Sequence, residues 1–469
     1  MSDLVLAATE TVAFEREDVF AGFAGTNGWL FGCRCDRLTV GGTVSLSVPF
    51  GGESGAFRIY GRITAVIPET EIVITHHQPW SGRLRLRLSS VGPMRTRVRL
   101  TAEIGEEGVY WLMRRSGFPT PEPAASGAVR IGLLTSKSGP GAVYALATEN
   151  TARLAVEELN EDGGIRGTAA QLVVGDDGTD PSLAAIEAAR LVRAGCRLIV
   201  ASVTSASFGP VRRVAARAGV PVIQPLLNEG GGSNAFSMRL GERPALQLRA
   251  AVKPIMRATG SRNWFLVGHD YSWSLAAGRH ARRHIPESGG RVAGEARTRL
   301  GSHDYSRVID QIQASRADLV LSTLVGQDEV EFERQSYAAG LRAQTNTLSL
   351  VFEEGTREHV GAPAALGVWS ALGYFQNLEG EHNTEFLRRY RQRFGRWAPL
   401  VSTTSESVYT AIKLYAQAAV ANPSAPVVAG IRMQRLDVPR GRLSFGDHET
   451  YDHRISLAQS TPDYLKVLG

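Results

Sequence analysis

The chain has 469 residues, enough for roughly three domains or lobes of about 150 residues each. Hydrophobic residues make up 43% and charged residues 21%, a balance that excludes a wholly disordered chain. The net charge of +6 does not read as a nucleic-acid footprint: Lys supplies only four of the 52 basic residues (Lys137, Lys253, Lys413, Lys466), and the arginines are scattered along the chain.

Residues 1–116 carry short alternating runs: L-V-L-A-A-T (4–9), T-V-S-L-S-V (43–48), F-R-I-Y-G-R-I-T-A-V (57–66), I-V-I-T-H-H (72–77), R-L-R-L-R-L (83–88) and T-R-V-R-L-T-A-E-I (96–104). Period-two alternation between Gly, Pro and Glu-Thr breaks predicts about six antiparallel strands, with a small helix near 15–24. The expected class is α+β with a curved sheet. Cys33 and Cys35 share one strand face, but no second pair or nearby His completes a zinc site, so buried thiols are expected. His76 and His77 are strand neighbours on opposite faces and cannot chelate one ion. Residues 117–128, G-F-P-T-P-E-P-A-A-S-G-A with its three prolines, read as a stiff linker.

From 129 the pattern changes to alternating strand and helix. V-R-I-G-L-L-T-S-K-S-G (129–139) is a buried strand ending in a Ser/Thr/Gly turn. A helix over 150–165 is stopped by Gly163-Gly164, the strand 171–177 follows, and D-P-S (180–182) caps a helix through Arg193. The strand C-R-L-I-V-A-S-V-T-S-A-S (196–207) ends in hydroxyl residues, and a helix is expected over 208–219. This β-α-β-α-β order implies a parallel sheet, whose ligands sit beyond the carboxyl ends of the strands. The turns 135–138 and 204–207 lie there and form one expected cleft wall. A strand at 220–225 leads into a glycine-rich loop (228–234). Strands at 263–271, 291–298 and 317–326 and helices at 274–284, 304–315 and 328–339 then repeat the architecture. Two covalently crossed α/β lobes suggest a clamshell closing on a ligand. The expected division is 1–116, the linker 117–128, and a binding domain over 129–469, with lobe one mainly 129–245, lobe two mainly 246–370 and later segments returning to both.

The order of elements in 1–116 resembles the START-like (SRPBCC) family, nearest its Hsp90-ATPase-activator-homologue branch. The resemblance is carried by E-R-E-D-V-F-A-G-F (15–23), the Trp29 region, L-T-V-G-G-T-V-S-L (38–46), F-R-I-Y-G-R-I-T-A-V-I-P-E-T-E-I-V-I-T (57–75) and the strand ending at Thr101–Glu103. The family closes with a long cavity-lining helix; here G-V-Y-W-L-M-R-R (108–115) gives about two turns.

Residues 129–460 resemble the type I periplasmic binding proteins, nearest the branch of the amide sensor of amidase operons and the urea and short-chain-amide receptors, beside the branched-chain amino acid receptors. The markers are I-G-L-L-T-S-K-S-G (131–139), A-V-E-E-L-N-E-D-G-G-I-R-G (155–167), D-D-G-T-D-P (176–181), V-G-H-D-Y-S-W (267–273), A-D-L-V-L-S-T-L-V-G (317–326), P-R-G-R-L-S-F (439–445) and H-R-I-S-L-A (453–458). The resemblance implies that Ser205 meets the ligand, and Ser205 can equally cap the following helix. It implies that Tyr271 and Trp273 wall the pocket. Gln224 and Leu226 follow the fourth strand; Leu226 and Leu227 depart from the family's polar or aromatic residue there and point either to a ligand with an apolar portion or to a site that has drifted. Val325, Tyr374 and Ser136 complete the candidate set. An amino-acid ligand needs an acid for its ammonium, for which Asp270, Asp328, Glu353 and Glu354 are the candidates.

No G-x-S-x-G elbow, G-x-x-x-x-G-K-[ST] loop or H-E-x-x-H is present, so no catalytic residue, cofactor or metal is expected. H-A-R-R-H (280–284) lacks a third ligand and reads as a solvated face. The expected function is non-catalytic binding of a small polar molecule (a short-chain amide, urea or an amino acid), for delivery to an ABC permease or for sensing through a regulator protein. A homodimer is left open. The alternative is an apolar ligand or an enzyme-like activity in 1–116, or a scaffold with a degenerate cleft. No apolar run reaches about 18 residues, so no membrane span is expected. The first residues lack a basic leader region, which predicts a cytoplasmic protein, or a periplasmic one if a leader is missing.

Overall fold

Period-two alternation builds the first part of the chain into one antiparallel sheet. The computed structural model describes residues 4–50, 56–116, 127–231, 234–422, 424–445 and 454–468. The elements are β1 (Leu4–Val12), α1 (Arg16–Ala21), β2 (Gly25–Gly28), β3 (Cys33–Cys35), β4 (Thr43–Pro49), β5 (Ala56–Ile67), β6 (Glu71–Gln78), β7 (Gly82–Gly92), β8 (Arg95–Ile104) and α2 (Glu106–Arg115). The sheet runs β1-β8-β7-β6-β5-β4-β3-β2. Leu84, Leu86 and Leu88 of β7 are buried, while Arg87 between them turns outward to Glu71 at 2.6 Å. Two strands beyond the expected six are β2 and β3, too short to show a period. Cys33 and Cys35 are buried free thiols, and His76 is buried while His77 is exposed. An apolar cavity of about 340 Å³ is lined by Leu6, Phe50, Phe57, His76, Trp80 and Leu112 among others.

The chain divides into two units, Met1–Ala124 with Lys137–Ala142, and Ala125–Ser136 with Val143–Gly469. The linker read at 117–128 lies outside the described residues except for its last two positions.

In the second unit, lobe one contains β9 (Val129–Thr135), α3 (Ala145–Glu161), β10 (Ala170–Asp176), α4 (Pro181–Arg193), β11 (Leu198–Ser202), α5 (Ser205–Arg217), β12 (Val222–Gln224) and β13 (Ser237–Arg239). Its five strands are all parallel, in the order β10-β9-β11-β12-β13. Lobe two contains α6 (Pro244–Thr259), β14 (Asn263–His269), α7 (Ser272–Glu287), β15 (Arg291–Thr298), α8 (Ser306–Ser315), β16 (Leu319–Thr323), α9 (Gln327–Ala338), β17 (Asn346–Ser349), α10 (Glu354–Val360) and β18 (Trp369–Leu372). The chain then returns to lobe one through α11 (Glu381–Phe394), α12 (Thr403–Ala421), α13 (Val427–Arg432) and the hairpin β19 (Arg435–Val438) and β20 (Gly441–Ser444). It ends in lobe two with β21 (Ser456–Ser460) and β22 (Leu465–Leu468). The second sheet, β15-β14-β16-β17-β18-β21-β22, is parallel through β18, as expected, and gains two antiparallel strands at its edge.

The central strands are buried on both sides and read as continuous apolar runs, as parallel strands between helices must. Ile131, Leu133, Leu198 and Val200 pack against α3 and α12, where Leu154, Ala155, Val408 and Ile412 are buried with them. Trp264, Leu266, Leu319 and Leu321 do the same in lobe two against Leu248, Ile255, Ala277 and Ile285. Asp180 caps α4 by accepting from the Ser182 and Leu183 amides at 2.8 and 2.9 Å, with Pro181 at the first helical position.

Where the chain leaves lobe one, between β13 and α6, it carries the buried Glu242. One carboxylate oxygen of Glu242 accepts from the Gly373 amide, the Thr403 hydroxyl and Arg440 Nη1, each at 3.0 Å. Gly373 begins the return crossing after β18, and a side chain there would collide with Glu242. One carboxylate therefore ties two crossings to lobe one.

Candidate functional site

The cavity at the carboxyl ends of both parallel sheets has a volume of about 50 Å³. Lobe one supplies Tyr144, Val203, Thr204, Ser205, Leu226, Leu227 and Thr404; lobe two supplies Tyr271, Trp273, Val325, Val351 and Glu353. Most wall residues stand where a strand gives way to a helix or loop; Tyr144 and Thr404 stand instead at the starts of α3 and α12. Thr204 and Ser205 follow β11, Leu226 follows β12, Tyr271 and Trp273 follow β14, Val325 follows β16, and Val351 and Glu353 follow β17. Strand direction alone brings them to one edge.

Among the expected residues, Ser205, Leu226, Tyr271, Trp273 and Val325 meet at this cavity. Gln224, Tyr374 and Ser136 stand elsewhere. Gln224 is fully buried at the end of β12 and donates to the Val203 carbonyl at 3.2 Å. Tyr374 lies in the lobe-one core and donates to Asn383 Oδ1 at 2.7 Å. Ser136 donates to the Asp177 carboxylate at 2.6 Å and so braces two strand ends. The helix expected from 208 begins at Ser205, and its cap is Thr204, whose hydroxyl accepts from the Ser207 amide at 3.4 Å. Ser205 is thereby freed for another role.

That role is visible: the Ser205 hydroxyl donates to Glu229 Oε2 at 2.5 Å. Glu229 is also paired with Arg239 at 3.2 Å. Burial pushes its carboxyl up, but the Ser205 bond, a backbone amide and Arg239 outweigh burial and leave it below the usual carboxylate range. Glu353 is the second acid here. Its oxygens accept from the Ser402 hydroxyl at 2.8 Å and the Thr404 amide at 3.1 Å. Burial pushes its carboxyl up to about 7 in spite of these bonds. Among the other acid candidates, Asp328 accepts from the Gly301 and Ser302 amides and Glu354 from the Gln376 amide, so both serve the framework of lobe two.

The aromatic wall is held from behind. Tyr271 and Trp273 stack at 6.4 Å with an interplanar angle of 28°. The Gly326 amide of lobe two donates to the hydroxyl of Tyr144 in lobe one at 2.8 Å, bridging the cleft. The Val325 amide donates to His269 Nε2 at 3.2 Å; burial lowers His269 to about 4, so this nitrogen stays an acceptor at neutral pH. Tyr144, Val203, Val351, Glu229 and Thr404 are wall and support residues that the sequence did not disclose. Tyr144 lies just before a helix that the pattern started later. Thr404 lies in the first turn of α12 and Glu229 in the irregular segment between β12 and β13, and no period marks either. Among the described residues, no group of three or more His, Cys, Asp or Glu could hold a metal ion. His280 and His284 stand on the outer side of α7, exposed and half-buried.

A two-lobed α/β clamshell with a lined cavity between its lobes is the architecture of a solute-binding protein. The family model described as periplasmic binding protein matches residues 128–463, well over half the chain, and the chain belongs to that family. The Leu/Ile/Val-binding protein BraC3 of Rhizobium johnstonii is 30% identical over 207 residues, 42% of this chain and 55% of its own length; the chain spans about half the length of the curated relatives it matches. Among solved structures, an ABC-transporter solute-binding protein of R. palustris in complex with benzoate superimposes with a TM-score of 0.65 at 18% identity, over 73% of this chain and 96% of that one. The branched-chain amino acid transporter substrate-binding protein LivJ of Streptococcus pneumoniae, in complex with isoleucine, gives 0.64 at 18% identity, over 73% and 99%. These structures share the fold.

Proposed function

We propose that the chain binds a small polar molecule with an apolar portion between its lobes and carries out no chemistry on it. The carrying observation is the cavity whose wall is divided between the two lobes, with Ser205 and Leu226 on one side and Tyr271, Trp273, Val325 and Glu353 on the other. A ligand touching both walls favours the closed arrangement by its differential affinity and so shifts the population. The family supports an ABC permease as the reader of that closed form and the periplasm as its compartment; no helix among the described residues is long and apolar enough to cross a membrane. A regulator protein as reader is the second form of the same reading, and self-association is no part of either. The relatives favour the cleft over the alternative that puts function in 1–116. For that segment we keep the START-like reading, which the sheet order with β1 beside β8 and a following helix supports.

The test is a thermal-shift panel of branched-chain amino acids, short aliphatic amides, urea and short alkylamines, run on the wild type and on Tyr271→Ala. A ligand at about 100 times its Kd stabilises the native state by roughly 2.7 kcal/mol. The expected result is a shift with at least one class that disappears in the variant. A well-folded protein with no shift for any class overturns the proposal.

A further inference from the structure

We infer that the cleft takes a small alkylammonium lacking a carboxylate, because the protein's own Glu229 fills the place a ligand carboxylate would occupy. This rests on the cleft reading above and names the ligand class for it.

The amino end of α5 is the natural anion seat of the cavity. Thr204 and Ser205 both line it, and the first amides of a 13-residue helix carry partial positive charge. Here the seat is occupied from within. Ser205 Oγ is committed to Glu229 Oε2 at 2.5 Å, and Arg239 is committed to the other oxygen at 3.2 Å. The arrangement is built rather than incidental. Arg239 lies over the Phe208 ring at 5.0 Å. Asn228 fixes the turn that presents Glu229 by donating to the Gly241 carbonyl at 3.0 Å and accepting from the Gly230 amide at 2.9 Å.

What faces the ligand is then one-sided. Glu353 is 2% exposed and lines the cavity, and no Lys or Arg is among the described residues that do. A ligand carboxylate would enter a desolvated space beside the Glu353 carboxyl, find the Ser205 hydroxyl already engaged by Glu229, and meet no lining cation. An ammonium meets the opposite: the Glu353 carboxyl and the rings of Tyr144, Tyr271 and Trp273, whose faces attract cations. Leu226, Leu227, Val325 and Val351 suit a short alkyl body. Size points the same way. A cavity of about 50 Å³ holds roughly four water-sized groups, which suits a branched-chain amine better than the complete amino acid.

The test is calorimetric titration of the full chain with valine, isobutylamine (valine without its carboxylate), isovalerate (valine without its amino group) and isobutyramide (a neutral amide). The expected result is that isobutylamine binds at least tenfold tighter than each of the others. Glu229→Gln and Glu229→Ala should each tighten valine at least tenfold and change isobutylamine less than threefold. Valine, isovalerate or isobutyramide binding as tightly as the amine in the wild type overturns the inference and leaves the cleft reading standing. Absence of binding by all four, together with no response in the wider thermal panel, overturns both.

Discussion

Glu353 is the single side chain on which the charge of the cleft turns. Its buried carboxyl, pushed up to about 7, is accompanied by the Ser402 hydroxyl and Thr404 amide, which favour its charged form, and by the Glu242 charge, which opposes it; Tyr144 feels it across the cavity. An alkylamine keeps its proton throughout this range. Glu353 is charged above pH 7 and neutral below, so affinity for isobutylamine is greatest above pH 7 and falls as the pH is lowered through it. Glu229, whose carboxyl lies below the usual range, stays charged across the window. Titrations at pH 8 and pH 6 should therefore differ by about tenfold in Kd, and an affinity flat between them would remove Glu353 from the ligand's contacts. Glu353 was one of four acids the sequence offered for a ligand ammonium, without its partners, and Glu229 was not singled out at all. Glu229 meets Ser205 across 24 residues and Glu353 meets Ser402 across 49, each from an irregular segment. Ser205 was legible because it sits in the hydroxyl-rich turn at a strand end, whereas Tyr271 and Trp273 were named only through the family resemblance carried by V-G-H-D-Y-S-W.

At the scale of elements, the best-marked boundary is the start of α4. D-P-S is readable because each residue has a local reason: Asp accepts the first free amides, and Pro lacks the amide that would go unused. Asp180→Ala should cost about 1 kcal/mol of stability, seen as a lowered denaturation midpoint, with ligand affinity unchanged because Asp180 lies away from the cavity wall. Unchanged stability would show that another group takes over the Ser182 and Leu183 amides. The start of α3 was less legible: the pattern opened it at 150, and the helix begins at Ala145. Its first turns bury Thr148 and Thr151, which look polar in sequence. Thr148 satisfies its hydroxyl on the Tyr144 carbonyl at 2.8 Å, and Thr151 on the Ser405 carbonyl at 2.7 Å, 254 residues away. Hydroxyls satisfied on a carbonyl one turn back or on a distant segment are invisible to a hydrophobic period. The short β2 and β3, and the antiparallel edge β21 and β22, escaped for the related reason that three to five residues define no repeat.

For the clamshell as a whole, the repeat of strand and helix was enough to read two lobes, but what holds their crossings was not readable, because Glu242 and Arg440 stand 198 residues apart. Arg440 is 4% exposed at its side chain and serves two buried acids, Glu242 at 3.0 Å and Glu406. It also donates to the Ser407 hydroxyl at 2.5 Å. Burying these charges is costly, and the cluster is tolerable only while each charge keeps its partner. Arg440→Leu leaves two carboxylates buried without their cation and should cost about 3–5 kcal/mol, measured by chemical denaturation. Adding Glu242→Gln to that variant removes one of the stranded charges and should recover part of the loss, since the two positions act as one unit. Because Glu242 also receives the Gly373 amide, the double variant keeps an acceptor at the crossing but no longer ties it to Arg440. It should therefore recover stability more fully than it recovers affinity for a ligand held between the lobes. Full recovery of both would mean that the ion cluster only stabilises lobe one; recovery of stability alone would make it the pin about which the lobes close.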